Sequence, residues 1–177
     1  MRAAALSPAS STTLAISPIV ESDYPDVGRI YAAGIAAGNA TFEREVPSWE
    51  AWRDARGGLP CLVGKDETGK VLGWAALTPV SSRCVYRGVA AISIYVDPDH
   101  RRLGVARELL RALISEAESE GVWTLEAGIF PENAASVALH ESCGFRLVGV
   151  RQRVGQMADG SWRDVLLYER RSEIVGA

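Results

Sequence analysis

The chain has 177 residues, of which 47% are hydrophobic and 23% are charged, and its formal net charge is −3. This length and composition predict one globular domain with a substantial core. The basic residues are scattered rather than clustered, so neither nucleic acid nor an anionic membrane is expected as a partner.

The domain boundaries follow from the composition at the two ends. Residues 1–12 are rich in Ala and Ser and have too short an apolar run for a signal peptide, so they are predicted to form a flexible tail. A single domain covers residues 13–172, and residues 173–177 form a carboxyl-terminal tail. No window approaches the ~20 apolar residues of a membrane span, so the protein is expected in the cytoplasm.

Two helices are predicted in the first third of the chain, after a strand over residues 14–20. The first helix has Ser22 as its N-cap, acidic residues in its first turn and an end near Gly34. Its apolar residues fall on one face. The second, shorter helix begins at Pro47-Ser48 and ends at Arg56.

The middle of the chain changes to a β pattern. Residues 61–65 and 71–78 flank the turn Asp66–Gly69 and predict a hairpin, and residues 89–96 predict a third, apolar strand. From Gly104 to Glu120, apolar residues recur at helical spacing with charges between them, which predicts a long amphipathic helix.

The remaining segments complete the fold. They predict a strand, a short helix and a closing antiparallel pair, over residues 123–129, 133–142, 145–154 and 162–169. One strand–helix–strand crossover over residues 89–129 is expected to be right-handed. The order of elements therefore predicts an α/β fold with a mixed, mostly antiparallel central sheet flanked by helices.

The turn between the third strand and the long helix contains Arg101-x-x-Gly104-x-Ala106. Unpaired backbone N–H groups and the helix dipole favour a pyrophosphate at a helix start, and Gly104 and Ala106 keep side chains out of its way. The spacing matches neither a dinucleotide-binding fold nor a Walker loop. By itself, a glycine in such a turn more often serves only the backbone geometry.

Cysteine and histidine limit the covalent and metal chemistry. Cys61, Cys84 and Cys143 form an odd set without Cys-x-x-Cys spacing, which argues against a disulfide framework or a zinc site. Cys143 has no adjacent base and is expected in the core rather than as a nucleophile. Only His100 and His140 could supply imidazole, and no metal is expected.

The run Val96-Asp-Pro-x-x-Arg-x-x-Gly-x-Ala106 resembles the acyl-CoA signature of the GCN5-related N-acetyltransferases (GNAT). The resemblance implies the GNAT fold and acetyl-CoA as co-substrate, with its pyrophosphate in the turn. We also expect Ile94, Tyr95 and Val96 to bind the pantetheine as an extra strand and to supply an N–H for the oxyanion. The predicted turn contacts are Arg101, Arg102, Leu103, Gly104, Val105, Ala106 and Arg107.

A second signature begins at Asn133-Ala-Ala-Ser136 and resembles the family's Asn-x-x-Ser…Gly-Phe element. It implies that Asn133 and Ser142 contact CoA, although Asn133 could also simply cap a helix. His140 stands where many members carry a Tyr that returns a proton to the departing sulfur, a role that imidazole can fill near neutral pH. The alternative is a helical histidine whose ring is satisfied by a carbonyl.

Within GNAT, the chain is most similar to phosphinothricin and methionine-sulfoximine N-acetyltransferases. Its matching segments are Ile30-Tyr31, Ala40–Glu43, Tyr86-Arg87, Ala127–Ser136 and Gly160-x-Trp162-Arg-Asp164. The similarity implies acetylation of the α-amine of a small glutamate-like amino acid by direct attack, and a homodimer. The implied substrate contacts are Phe42, Ser82, Arg83, Arg87, Ile92 and Ser93.

Arg83 matches the arginine that grips the substrate carboxylate, although it could also be a solvated surface residue, as could Arg87. The chain departs from the family at Ala91, where the usual general-base carboxylate is absent, and at Ser81, where many relatives have an arginine. A water chain or another group would then take the proton. The alternatives are a peptide or protein N-terminal acetyltransferase, a non-catalytic CoA sensor and a dimerising structural protein.

Overall fold

The computed structural model describes residues 14–177, so the tail predicted over residues 1–12 lies outside the described residues. The helices of this part are α1 (Tyr24–Ala36), α2 (Trp49–Asp54), α3 (Val105–Ser119) and α4 (Ala134–Ser142). None of the helices within residues 14–177 is both long enough and apolar enough to cross a membrane.

The strands form one sheet in the order β1-β2-β3-β4-β5-β7-β6. They are β1 (Ala15–Pro18), β2 (Cys61–Lys65), β3 (Val71–Pro79), β4 (Val89–Val96), β5 (Thr124–Ile129), β6 (Arg146–Gln156) and β7 (Trp162–Arg171). Neighbouring strands are antiparallel except for β4 and β5, which pair in parallel and are connected along the chain by α3. The predicted mixed, mostly antiparallel sheet is confirmed.

Each face of the sheet carries its own apolar core, because successive side chains of a strand point to opposite faces. On one face α3 buries Leu109, Leu110 and Leu113 against the sheet. On the other face α1 and α2 enclose an aromatic group that includes Trp52 and Trp74. The two layers of helices hold the sheet from both sides.

The start of α1 differs from the prediction. The helix begins at Tyr24 after one 3₁₀ turn, and Asp23 rather than Ser22 occupies the N-cap position. The Asp23 carboxylate accepts the N–H of Val20 and lies 2.7 Å from Nζ of Lys65 on β2. The prediction of Ser22 as N-cap is wrong, because Ser22 lies within the 3₁₀ turn, and the residue that follows it is held by a tertiary ion pair.

The residues predicted as a carboxyl-terminal tail bend back onto the end of β7. The guanidinium of Arg171 donates to the carbonyls of Val175 and Gly176, at 2.7 and 2.6 Å. The hydroxyl of Ser172 accepts the N–H groups of Ile174 and Val175. These bonds link residues 172–176 to the domain.

Strands β4 and β5 pair only briefly and then separate. Their register pairs are Val89 with Thr124, Ala90 with Leu125 and Ala91 with Glu126. Beyond this point β4 continues beside β3, and β5 continues beside β7. Within residues 14–177, one edge of β4 from residue 92 to residue 96 therefore lacks a neighbouring strand.

The end of β4 is tied to α1 by Asp97, whose side chain is 2% exposed. One carboxylate oxygen lies 2.8 Å from Nη1 of Arg29, and the other accepts the N–H of Asp99 at 3.0 Å. Burial alone would raise the pKa of Asp97, but Arg29 and the Asp99 N–H hold this pKa below its ordinary value. Asp97 therefore positions the turn that follows β4.

We predict that Asp97→Asn lowers the free energy of unfolding by about 1–3 kcal/mol at pH 7, because it leaves a buried network half satisfied. The matched control is Asp26→Asn, which breaks an exposed contact to the same Arg29 and should change stability by less than about 0.5 kcal/mol. Urea unfolding of both variants measures the difference.

The effect should also depend on pH. Since the pKa of Asp97 is lower in the folded state, the stability it contributes is present above the unfolded value and is lost as the pH falls through the folded value. The difference in free energy of unfolding between wild type and Asp97→Asn should therefore decrease below about pH 4. An Asp97→Asn protein as stable at pH 7 as Asp26→Asn would contradict this interpretation.

Candidate functional site

Two cavities meet where β4 and β5 separate. The first, of about 860 Å³, lies between α1, α2 and the sheet, and the second, of about 1080 Å³, lies beside the starts of α3 and α4. We call the first the sheet cavity and the second the turn cavity. Both are lined by Ala40, Ile94, Tyr95, Asn133 and Ser136. A ligand could therefore extend from one cavity into the other.

The turn cavity contains the start of α3, as the Gly-x-Ala pattern predicts. Gly104 has a φ of +84°, a conformation that glycine adopts without strain, and no side chain caps the helix. The first-turn N–H groups of α3 have no intrahelical acceptor by geometry. With the positive end of the helix dipole, they make the turn suited to an anion.

Most of the predicted cofactor contacts reach the turn cavity. Its lining includes Ile94, Tyr95, Val96, Arg101, Arg102, Gly104, Val105, Ala106, Arg107 and Asn133. Leu103 is 59% exposed and lines neither cavity. Ser142 lies outside both linings as well, and its hydroxyl donates to the carbonyl of Leu139 at 2.8 Å.

Asn133 occupies the N-cap of α4 and also lines both cavities. Its Oδ1 accepts the N–H of Ser136 at 3.2 Å, so the capping interpretation holds. Its Nδ2 donates to the carbonyl of Asn39, which fixes the loop after α1. The side chain thus joins a helix start, a loop and the junction between the cavities.

The loop that carries Phe42 is held against the sheet cavity. The Phe42 ring meets Phe130 edge-on, with centroids 4.9 Å apart, and a Cβ at Gly155 would lie 2.5 Å from the ring. Arg163 donates to the carbonyl of Gly38 at 2.9 Å. Phe42, which sequence analysis placed in the substrate site, lines this cavity.

His140 lines the sheet cavity, and its side chain is 2% exposed. Nδ1 lies 2.8 Å from the carbonyl oxygen of Ser136, which can only accept, so Nδ1 carries the proton. Nε2 is buried and has no hydrogen-bond partner among residues 14–177. Burial lowers the pKa of His140, an effect that the Ser136 carbonyl partly opposes.

The sequence left open that His140 is a helical histidine whose ring is satisfied by a carbonyl. The structure supports this alternative for Nδ1 but not for Nε2. The carbonyl of Ser136 occupies Nδ1 and leaves the lone pair of Nε2 without a partner in the described residues. A buried polar atom without a partner is uncommon in folded proteins, and this one belongs to a ring that lines the sheet cavity. The neutral ring can accept a proton at Nε2.

The other predicted substrate contacts divide into two groups. Ile92 and Ser93 line the sheet cavity, whereas Ser82, Arg83 and Arg87 line neither cavity. The guanidinium of Arg83 lies 5.4 Å from the ring centre of Tyr86. That of Arg87 lies over Trp123. Within this chain, neither arginine reaches the space that His140 lines.

Sequence analysis did not identify Arg56, which lines the sheet cavity just beyond α2. Its guanidinium carbon lies 4.6 Å from the ring centre of Trp52, and Nη1 donates to the hydroxyl of Thr78. The available signal was the four-residue spacing from Trp52, which would place both side chains on one face if the predicted helix extended to Arg56; α2 ends at Asp54. That spacing alone does not reveal a cavity.

Comparison with known proteins gives consistent results. Residues 25–145 match the family model described as the acetyltransferase (GNAT) family. The chain is 38% identical over 154 residues to L-methionine sulfoximine/L-methionine sulfone acetyltransferase from Pseudomonas paraeruginosa. This alignment covers 83% of the chain and 88% of the relative.

Two crystal structures are similar to this chain over most of their length. A GNAT superfamily phosphinothricin acetyltransferase from Sinorhizobium meliloti in complex with AcCoA superimposes with a TM-score of 0.81 and 30% identity, covering 93% of this chain and 96% of that one. A ribosomal-protein-alanine N-acetyltransferase from Brucella melitensis gives a TM-score of 0.83 and 34% identity, covering 89% and 99%.

The turn cavity generates a binding prediction. Gly104→Ala should weaken CoA binding about tenfold, because a Cβ at positive φ shifts the backbone N–H groups of the turn. Gly121→Ala is the matched control, since Gly121 has a φ of +77°, has no atoms near its Cβ position and follows the other end of α3.

Both substitutions should cost about 1–2 kcal/mol of stability, which thermal unfolding measures. Calorimetric titration with CoA then separates strain from binding. Equal CoA affinity of the two variants would exclude a role for the turn in holding the anion.

Proposed function

Because the chain belongs to the GNAT family of acetyltransferases, we propose that it transfers an acetyl group from acetyl-CoA to the α-amine of a small glutamate-like amino acid, such as methionine sulfoximine or phosphinothricin. The observation that carries this proposal is the junction of the turn cavity and the sheet cavity at the separation of β4 and β5. The names of the relatives support the acceptor class.

The residues of the turn cavity fit acetyl-CoA. The start of α3 and the guanidinium groups of Arg101, Arg102 and Arg107 suit a pyrophosphate. The open edge of β4 suits an extended chain with amide groups, because backbone N–H and C=O groups there need partners. The co-substrate supplies an activated acetyl group as a thioester.

The sheet cavity supplies the proton chemistry. The acceptor amine must lose a proton to attack, and Ala91 presents only a methyl group on the cavity wall. Nε2 of His140 can accept that proton and hold it until the leaving thiolate takes it. His140 would thus serve as base and then as acid, which extends the single role expected from the sequence.

We predict that His140→Gln lowers kcat by about 100-fold or more, with little change in the affinity for acetyl-CoA. The pH profile is the specific test. Because burial lowers the pKa of His140, the imidazole should stay neutral to a pH below its ordinary value of about 6.5.

In the wild type, log(kcat/KM) plotted against pH should become steeper below the pKa of His140, where both the acceptor amine and the imidazole become protonated. The steeper limb should disappear in His140→Gln, because only the amine then titrates. A wild-type profile identical in shape to that of the variant would exclude proton transfer through Nε2.

The function is tested by release of free CoA thiol from acetyl-CoA with separate acceptors: phosphinothricin, methionine sulfoximine, methionine sulfone, ordinary amino acids and short peptides. We expect turnover with the glutamate-like amino acids. Cys84 is an exposed thiol and will add a background, which a Cys84→Ser variant removes. Tight CoA binding without turnover of any acceptor would instead support a sensor.

A second candidate is acetylation of a protein amino terminus, and one similar structure carries such a name. Turnover confined to peptides that begin with Ala would favour it. The homodimer expected from the resemblance and the cytoplasmic location expected from the sequence stay predictions, and light scattering of the purified protein would measure the oligomeric state.

A further inference from the structure

Arg56 is a positively charged side chain in the sheet cavity without an anionic partner. None of the ion pairs formed among residues 14–177 includes it. Nη1 donates to the hydroxyl of Thr78, whereas Nε is buried and unpaired among the same residues. The remaining donors on Nη1 and Nη2 also have no partner among these residues.

The titratable groups that act on Arg56 cannot supply the missing charge. Burial raises the pKa values of Tyr24, Tyr31 and Tyr95, and it raises the pKa of Cys61 to about 11. All four groups are neutral at pH 7. The charge of Arg56 is thus partly desolvated without an internal counter-ion among these groups, although its guanidinium stays protonated.

Two carboxylates, those of Glu43 and Glu45, also line the sheet cavity. Both residues are exposed, and neither carboxylate lies within 4.0 Å of the Arg56 guanidinium. Arg56 is only partly exposed, and a charge that is partly removed from water gains from a counter-ion or from further hydrogen bonds. An anionic ligand would complete the environment of Arg56.

The position of Arg56 limits which anion can bind. Thr78, which holds the guanidinium, pairs across the sheet with Ala91, and Ala91 belongs to the last register pair before β4 and β5 separate. The two cavities join at this separation, so the acceptor amine must come close to it. The carboxylate closest to an α-amine is the one on the same carbon atom.

We propose that Arg56 binds the α-carboxylate of the acceptor amino acid and so selects free amino acids over neutral amines; this inference rests on the proposed function. Trp52 supports the face of the guanidinium, and Thr78 fixes its edge, which leaves other donors for paired hydrogen bonds to a carboxylate. Arg83, the residue predicted from the family, lies outside the cavity.

The test compares methionine sulfone with its α-amide, which keeps the amine and the side chain but loses the negative charge. Arg56→Met should lower kcat/KM for the acid about 100-fold, mainly through KM, and should change the value for the amide less than about threefold. The KM for acetyl-CoA should stay within about twofold of wild type.

Arg53→Met is the matched control, because Arg53 lies on α2 only three residues before Arg56, has its guanidinium over Trp49 and lines neither cavity. It should leave the preference for acid over amide unchanged. If Arg83→Met removes that preference and Arg56→Met retains it, the assignment moves to Arg83 and the inference fails.

Two milder variants keep the test decisive if Arg56→Met does not fold. Arg56→Lys keeps the charge but loses the planar fork, and Thr78→Val removes the hydroxyl that positions Nη1. Each should lower the preference for acid over amide by about three- to tenfold. If both variants fold and both keep the preference for acid over amide that the wild type has, the inference is overturned.

The proposed function can fail separately. If the wild type acetylates no amino acid, the function is wrong, and the inference is then judged by calorimetric titration of CoA-bound protein with methionine sulfone and its amide. Tighter binding of the acid that is lost in Arg56→Met would support the carboxylate site. Absence of binding, or equal binding by both proteins, would overturn it.

Discussion

The separation of β4 from β5 after three residue pairs is the constraint on which the site depends. A continuous sheet would satisfy both strand edges internally and leave no space between them. Here β3 and β7 hold the two strands from outside, so each strand stays ordered after it loses its parallel neighbour. The gap is therefore bounded by strands that are paired on their outer edges, and the two cavities meet within it.

The electrostatics of the two cavities differ because different atoms face them. The turn cavity combines backbone N–H groups with several exposed arginines, which favours a highly charged anion. The sheet cavity is lined mainly by neutral groups whose burial keeps them neutral, including His140 and Tyr95. In such surroundings the partly buried guanidinium of Arg56 has a larger influence than the exposed guanidinium of Arg151, which also lines this cavity.

Much of the fold was predictable because local pattern and tertiary structure agree. The amphipathic period of α3 and the hairpin on either side of the 66–69 turn each matched the structure closely. The start of α1 was not predictable, because the ion pair of Asp23 with Lys65 joins residues far apart in sequence.

The candidate site was predictable only where a motif is continuous in sequence. The turn at Gly104 and the 133–140 segment were identified in this way, whereas Arg56 depends on contacts with Trp52 and Thr78 on two separate elements. Resemblance also selected Arg83, whose side chain packs on Tyr86 away from the cavities. A residue's role in a relative does not determine where its side chain lies here.

The shared wall of the cavities has a thermodynamic consequence. Tyr95 contacts both spaces and stacks on Trp74, with ring centres 4.8 Å apart, so a ligand that displaces the ring from one side alters the surface offered on the other. Any resulting cooperativity must be reciprocal: the factor by which one ligand strengthens or weakens the second equals the factor in the opposite direction. Saturation of one cavity with its ligand would then change the half-saturating concentration of the ligand in the other cavity by that factor.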